Sequence, residues 1–344
     1  MTRRVGLLAA FVAASAATAL TLSGCSGGAP AAASPNVELK LSIPDPIGSS
    51  VGMAAQHFAD TVKSQSNGSV KITVIPNGTS FGGDQAAAVT RVQNGSLDAV
   101  ILSTSVYAGT DKKMNAVSLP YLFSSMDQEV KYLNGAPGKE LLADLGQTGT
   151  KGLAMLSRTP REVTNSVRPI QTPDDLKGLK IRVPGNPLWT QFFSAVGASP
   201  TPLAFSEVYT ALQTGAINGQ ENPVEVPATN KFAEVQKYLS MTNHMTDAFV
   251  LAFSDKKWNS LDPGVQKILQ SGADDTAAFK TKNDTDLADK QLKQLESQGM
   301  KVNDLSADGA TQFKKVARAL YPQFADVVGG ADFLKTTVDF VDGQ

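Results

Sequence analysis

The chain has 344 residues, 42% of them hydrophobic, and its 31 basic and 32 acidic side chains leave a formal net charge of −1. That balance offers no general basic face for nucleic acid. A single cysteine excludes an internal disulfide and a cysteine-built metal site, so stability has to come from apolar material, which is ample for two lobes.

The first segment is a targeting sequence. Met1–Arg4 is basic, Val5–Leu22 is apolar and alanine-rich, and Leu22-Ser23-Gly24-Cys25 resembles a bacterial lipobox. That resemblance implies cleavage before Cys25, lipid attachment to its sulfur and export; an ordinary secretory signal exports the chain as well. The Arg3-Arg4 pair hints at twin-arginine export without support from its neighbours. The small, proline-broken run 25–36 reads as a flexible tether, and no second apolar run is long enough to span a bilayer.

The folded part opens with a strand at Glu38–Ile43, a turn at Pro44–Gly48 and a helix from Ser50. Val51, Ala55, Phe58 and Val62 form the buried stripe of that helix, with His57 off it. A strand at Val70–Ile75, a helix at Gly83–Val92 and a short strand at Asp98–Leu102 complete an α/β rhythm. Asp84 and Ser103–Ser105 fall at element ends, where such sheets bind ligands. The Asn-Gly pairs at 67, 77 and 94 read as turns.

Gly48-Ser49-Ser50-Val51-Gly52 fits G-x-S-x-G, the nucleophile elbow of α/β hydrolases, between a strand and a helix. A secreted serine hydrolase is therefore a rival reading. Two facts oppose it. Only about ten folded residues precede the motif, too few for the strand and loop that supply an oxyanion hole, and with two histidines in the chain His244 would have to be the base. On the alternative, Ser49 and Ser50 present hydroxyls and a helix N-terminus to an anion.

Lys112–Phe123 crosses to SLPYLF, whose aromatics read as core. Met126–Leu145 reads as one helix, and Lys151–Ser157 as a strand leading to a second lobe. Arg158 and Arg168 read as surface or lobe contacts. In Lys180–Val183 the side chains alternate, so Ile181 and Val183 face the core with Leu179 while Arg182 points the other way from a stiff element. A planar guanidinium held so can grip a carboxylate through two parallel hydrogen bonds. Asn186-Pro187 starts a helix stopped by Gly197. GASPTPLAF reads as loop, and a helix from Ser206 ends before Gly215. Val226–Val235 is helical and Phe249–Ser254 an apolar strand. Asp262-Pro263 caps a helical pattern to Gln298, with Gly272 as a possible bend; at 1.5 Å per residue it is about 50 Å long. Val302 marks a strand, and Ala307–Leu320 and Pro322–Val328 are helical. No P-loop, internal repeat or histidine–carboxylate metal cluster is present.

GLKIRVP, GASPTPLAFSEVYTALQTG and GQENP, in this order and spacing, closely resemble the solute receptors of TRAP (tripartite ATP-independent periplasmic) transporters, of the dicarboxylate-receptor type. SLPYLF, TNSVRPI at Thr164–Ile170 and KFAEVQKYLSMTNH at Lys231–His244 match as well, so the resemblance runs from about Leu39 to the C-terminal region. It implies an α/β, two-lobed periplasmic-binding-protein-like fold with a domain-spanning helix and a cleft between lobes. The boundaries it suggests are 37–158 plus 249–287 for the first lobe and 159–248 plus 288–344 for the second, with crossings near Ser157–Thr159 and Ala248–Ser254. It implies a receptor and not an enzyme, without cofactor or metal. Such a receptor binds a small organic acid and delivers it to small and large membrane permease subunits driven by an ion gradient. Carried over by motif, Arg182 forms the main ion pair, Arg161 a second contact, Asn222 a donor and acceptor, and Phe205 the cover. Asp45–Ser50, Asp84 and Ser103–Ser105 would decide which acid fits. A sensory receptor on the same fold is the remaining alternative.

Overall fold

The computed structural model describes residues 36–344; the leader, the lipobox cysteine Cys25 and nearly all of the tether lie outside the described residues. In chain order the strands are β1 (Val37–Ser42), β2 (Val70–Ile75), β3 (Ala99–Ser103), β4 (Thr150–Leu156), β5 (Arg161–Asn165), β6 (Lys180–Val183), β7 (Ser199–Pro202), β8 (Gly219–Pro223), β9 (Tyr238–Met245), β10 (Phe249–Ser254) and β11 (Lys301–Asp304). The helices are α1 (Ser50–Gln65), α2 (Gln85–Asn94), α3 (Thr104–Tyr107), α4 (Met126–Asn134), α5 (Ala136–Leu145), α6 (Pro187–Ala195), α7 (Val208–Gln213), α8 (Glu225–Thr229), α9 (Asp255–Asn259), α10 (Pro263–Ser297), α11 (Ala307–Phe324) and α12 (Ala331–Asp342).

The strands form two mixed sheets, ordered β2-β1-β3-β10-β4 and β11-β9-β5-β8-β6-β7. In the first, β1 runs parallel to β2 and β3 while β10 is antiparallel to β3 and β4. In the second, β5 is antiparallel to β8 and β9, and β6 is parallel to β7 and β8. All six residues of β10 are buried, as a strand covered on both faces requires. Each lobe is thus a sheet flanked by helices, the two-lobed α/β architecture expected.

Local chemistry explains the starts of the helices. Ser49 caps α1, accepting from Gly52 N while its hydroxyl donates to Pro46 O. Asp84 caps α2 through Ala86 N and Ala87 N, and Asn186 caps α6 through Leu188 N. The expected α1 stripe is buried: Val51, Ala55, Phe58 and Val62 are at most 1% exposed, each worth about 1.5–3 kcal/mol for the larger side chains. α10 runs unbroken through Gly272. That glycine lets α1 approach, since a Cβ there would lie 2.8 Å from Val62 Cγ2 and 3.3 Å from Phe58 Cε2.

The chain crosses between sheets from β4 to β5 and back from β9 to β10, that is at 157–160 and 246–248. The return therefore ends before Phe249, whereas the sequence reading extended it through Ser254, which is strand. α10 packs on α1 and β4 of the first sheet and on α8 beside the second. Other readings need correction. Met126–Leu145 is two helices, because Gly135 is extended (φ −79°, ψ −169°) and a new one begins at Ala136 with Pro137 in its first turn. Ser199–Pro202 is an edge strand paired with β6 alone, a place where proline's missing N–H costs no ladder bond. Pro322 lies inside α11 instead of starting a separate helix. α12 was not foreseen. It packs against α4, with Tyr132 Oη 3.2 Å from Thr337 Oγ1 and Gln128 Nε2 donating to Val341 O at 2.8 Å, so the end of 288–344 sits beside the first lobe's helices.

Candidate functional site

A cavity of about 390 Å³ lies between the carboxyl ends of strands from both sheets, where open α/β sheets bind ligands. The first sheet lends Asp45 after β1, Asp84 before α2, and Ser103 and Ser105 after β3. The second lends Arg161, Arg182, Asn222 and the Pro202–Phe205 loop, and the crossings lend Arg158 and Asp247.

Arg182 projects from the middle of β6, between Thr201 of β7 and Gln220 of β8 in register. It is 5% exposed. Its Nε and Nη2 donate to the carbonyl of Leu203 at 3.0 and 2.7 Å, which fixes the plane of the guanidinium. Its Nη1 has no protein acceptor among the described residues, and no carboxylate pairs with it. Phe205 flanks it, with the guanidinium carbon 6.0 Å from the ring centroid. Burial pulls the pKa of Arg182 down to about 10, only partly opposed by Glu221; at neutral pH it is a buried cation without a carboxylate partner among the described residues.

The other two buried arginines among the described residues are both paired with carboxylates, although Arg158 Nε has no hydrogen-bond partner. Arg161 binds Glu221 through Nε and Nη2 at 2.6 and 2.8 Å, Asn222 Oδ1 at 3.0 Å and Asp247 Oδ1 at 3.0 Å. Arg158 binds both oxygens of Asp247 at 3.1 Å and Glu225 at 3.0 Å, and its guanidinium lies 4.4 Å from the Phe249 ring centroid. Asp247 also accepts from Ser103 Oγ at 2.6 Å. Burial would raise the carboxyls of Asp247 and Glu221, but Arg158 and Arg161 hold the first, and Arg161 with His244 the second, below the usual range. Asp247 thus ties together the two crossings between lobes.

The sequence-derived residues divide accordingly. Arg182, Arg161, Asn222, Phe205, Asp84 and Ser103 line the cavity, with Asp84 committed to its helix cap and Ser103 to Asp247. Asn222 accepts from Arg161 and donates to Gln220 Oε1 at 2.7 Å. Ser49 and Ser50 do not line it. Ser49 is spent on the α1 cap, and Ser50, 1% exposed, donates to Asp284, which also pairs with the buried Lys280. The hydrolase geometry is absent with it: His244 points Nε2 at Glu221 (3.1 Å) and Nδ1 at Thr242 Oγ1 (2.8 Å), not at Ser50. Arg158 is a buried cavity residue and no surface group, and Arg168 holds the carbonyls of Asp175 and Lys177. Asp247, Glu221 and Glu225 went unnoticed as organisers. A lone acid beside the apolar run Ala248–Phe253 was the available signal, because a buried carboxylate needs a cationic partner. No group of three or more metal-ligating side chains occurs among the described residues.

A two-lobed α/β frame whose cavity is lined by a buried, carboxylate-free arginine has the character of a binding protein for small anions. The match to the model of the bacterial extracellular solute-binding protein family 7 over residues 44–326 makes the family plain: this chain belongs to it, among the solute receptors of TRAP transporters. It is 35% identical over 288 residues to the 2,3-diketo-L-gulonate-binding periplasmic protein YiaO of Escherichia coli, covering 82% of this chain and 86% of that one. To the sialic acid-binding periplasmic protein SiaP of Vibrio cholerae it is 31% identical over 304 residues, 87% and 92% of the two chains. Among solved structures, the sugar acid binding protein DctPAm of Advenella mimigardefordensis, in complex with galactonate, superposes with a TM-score of 0.86 at 28% identity, covering 90% of this chain and 99% of that one. Among the described residues no helix is long and apolar enough to cross a membrane.

Proposed function

We propose that the chain captures a small organic acid by its carboxylate and hands it to the small and large permease subunits of a TRAP transporter. The observation that carries this reading is Arg182: buried, oriented by Leu203, and lacking a counter-ion. A carboxylate arriving there would relieve the burial penalty on the cation and gain charge-assisted hydrogen bonds in a water-poor cleft. Phe205 would cover the ligand beside it, and Arg161 and Asn222 would form the adjoining wall, Arg161 reaching the ligand only by exchanging one of its present partners. The protein would act by binding and not by catalysis. The relatives' names support the ligand class, since diketogulonate, sialic acid and galactonate are all organic acids.

Lobe closure would turn on the two crossings at 157–160 and 246–248, with 37–156 and β10 in the first lobe and β5–β9 in the second. Export with lipid attachment at Cys25 would keep the receptor beside its permease; mass spectrometry of the mature N-terminus tests that part. For binding, the test is a thermal-shift screen of carboxylic acids followed by calorimetry, because a ligand that binds only the native state raises the melting temperature. At least one acid should bind saturably with one site per chain; a broad panel without a binder would overturn the reading.

A further inference from the structure

The cavity has a second polar feature, away from Arg182. Asp45, in the turn after β1, is 8% exposed and lines the cavity. Its backbone carbonyl is engaged by Asn77 N at 3.0 Å, but its carboxylate has no hydrogen-bond or ion-pair partner among the described residues. The charges bearing on it are Glu225, Arg158 and Lys280, whereas those bearing on Arg182 are Glu221, Arg161 and Glu207. Asp45 follows β1 of the first sheet and Arg182 stands on β6 of the second, so the groups occupy different parts of the wall. A buried carboxylate left without a partner is costly, and this one lines the cavity.

We propose that Asp45 selects the ligand by hydrogen-bonding to neutral hydroxyls, so that the substrates are polyhydroxylated monocarboxylic acids and not dicarboxylates. This rests on the reading that Arg182 takes the carboxylate. Burial and Glu225 raise the Asp45 carboxyl to about 7, so near neutral pH its ionised form accepts from a ligand and its neutral form also donates; a hydroxyl, which both donates and accepts, serves either form. A second ligand carboxylate would instead meet Glu225 and the ionised form of Asp45 as like charges. A hydroxyl carries no charge and meets no such repulsion. Ser105 lines the same cavity and donates to Ser103, because the Ser103 proton is already given to Asp247; the Ser105 oxygen is therefore free to accept from a second hydroxyl. A ligand lacking hydroxyls would strip water from Asp45 and return nothing, the arrangement that discriminates most sharply against deoxygenated analogues.

The test is calorimetric titration of the wild type, Asp45→Ala, Asp45→Asn and Arg182→Ala. The probes are four- to six-carbon aldonates, with butyrate and hexanoate as deoxygenated counterparts and succinate and adipate as dicarboxylates. At least one aldonate should bind the wild type on the order of 100-fold more tightly than its deoxygenated and dicarboxylate counterparts. Asp45→Ala should erase most of that ratio, and Asp45→Asn, which keeps one acceptor oxygen, should erase less; melting temperatures verify that each variant is folded. A dicarboxylate binding the wild type as well as the best aldonate, or a ratio unchanged in Asp45→Ala, would overturn the proposal while leaving Arg182-dependent binding in place. Binding that survives Arg182→Ala, or no binding by any probe, would remove the carboxylate reading and this inference with it.

Discussion

Arg161 and Glu221 face each other as a two-pronged pair, Nε to Oε2 at 2.6 Å and Nη2 to Oε1 at 2.8 Å, with neither side chain more than 4% exposed. Glu221 sits on β8, the strand next to β6, yet it spends both oxygens on Arg161 and His244 and leaves Arg182 without a counter-ion. Neighbouring strands thus carry one locked arginine and one open one. The locked pair organises the wall, and on the proposed function the open cation is the one left for a ligand.

Replacing the open cation should separate binding from stability. Arg182→Ala should cost about 2–5 kcal/mol of affinity for the carboxylate ligand, the usual loss when one partner of a buried ionic contact is truncated. The folded state should not weaken, because burial already works against the charge of Arg182; Arg182→Met should hold or raise the melting temperature. Calorimetry with the identified acid and a melt of the same variants measure both. Near-native affinity in Arg182→Ala contradicts the assigned role.

Arg161 should behave in the opposite way. Arg161→Ala strands Glu221 and takes one of two arginines from Asp247, so it should destabilise the protein by about 3–5 kcal/mol in urea denaturation. The double change Arg161→Met with Glu221→Leu should recover much of that loss, because apolar groups of similar volume replace a buried ion pair at little net cost. A double variant no more stable than Arg161→Ala argues against the pair as the cause.

What could be read from the sequence follows from what kind of pattern each element carries. β1, β2, β10 and α10 are legible because apolar periodicity and capping residues agree. β5 and β8 are not: Arg161, Glu162, Thr164, Asn165, Gln220, Glu221 and Asn222 are all buried, but as a hydrogen-bonded polar network, which hydrophobic periodicity cannot register. β7 is hidden by its prolines. Within the site, Arg182 was visible from strand alternation and family motif together. The misplacement of Ser49 and Ser50 has a physical cause, since hydroxyls at a helix start serve the cap or the interior as readily as a ligand.

The G-x-S-x-G match has a packing origin that can be tested. A Cβ on Gly52 would lie 2.3 Å from Ile47 O and 2.5 Å from Pro46 O, backbone atoms of the turn that α1 presses against. Gly52→Ala should therefore cost about 1–3 kcal/mol, typical of overpacking. Gly48→Ala, with nothing within 4 Å of its Cβ position, should change stability little. Equal effects in chemical denaturation would refute the packing explanation.

The pH dependence of stability should carry the signature of Glu162. This side chain is 1% exposed on β5 and accepts from Asn243 N at 2.8 Å and Thr242 Oγ1 at 3.4 Å. Burial outweighs those bonds and pushes its pKa up to about 8 from the ordinary 4.5. Below the ordinary value the group is protonated folded or unfolded, and its contribution is fully present. As pH rises the unfolded chain gives up the proton and the folded chain keeps it, so stability falls until the folded pKa is passed. One retained proton corresponds to a slope of about 1.4 kcal/mol per pH unit. Asp45, raised to about 7 by burial and Glu225, adds a slope of the same sign. Glu221 and Asp247, held below the usual range, contribute stability that is lost only as pH falls, in a more acidic window. Urea titrations between about pH 5 and about pH 8 should therefore show the wild type losing stability with rising pH, and Glu162→Gln showing a slope shallower by about 1.4 kcal/mol per unit over most of that range. Parallel profiles for the two proteins would mean that Glu162 is ionised in the folded chain.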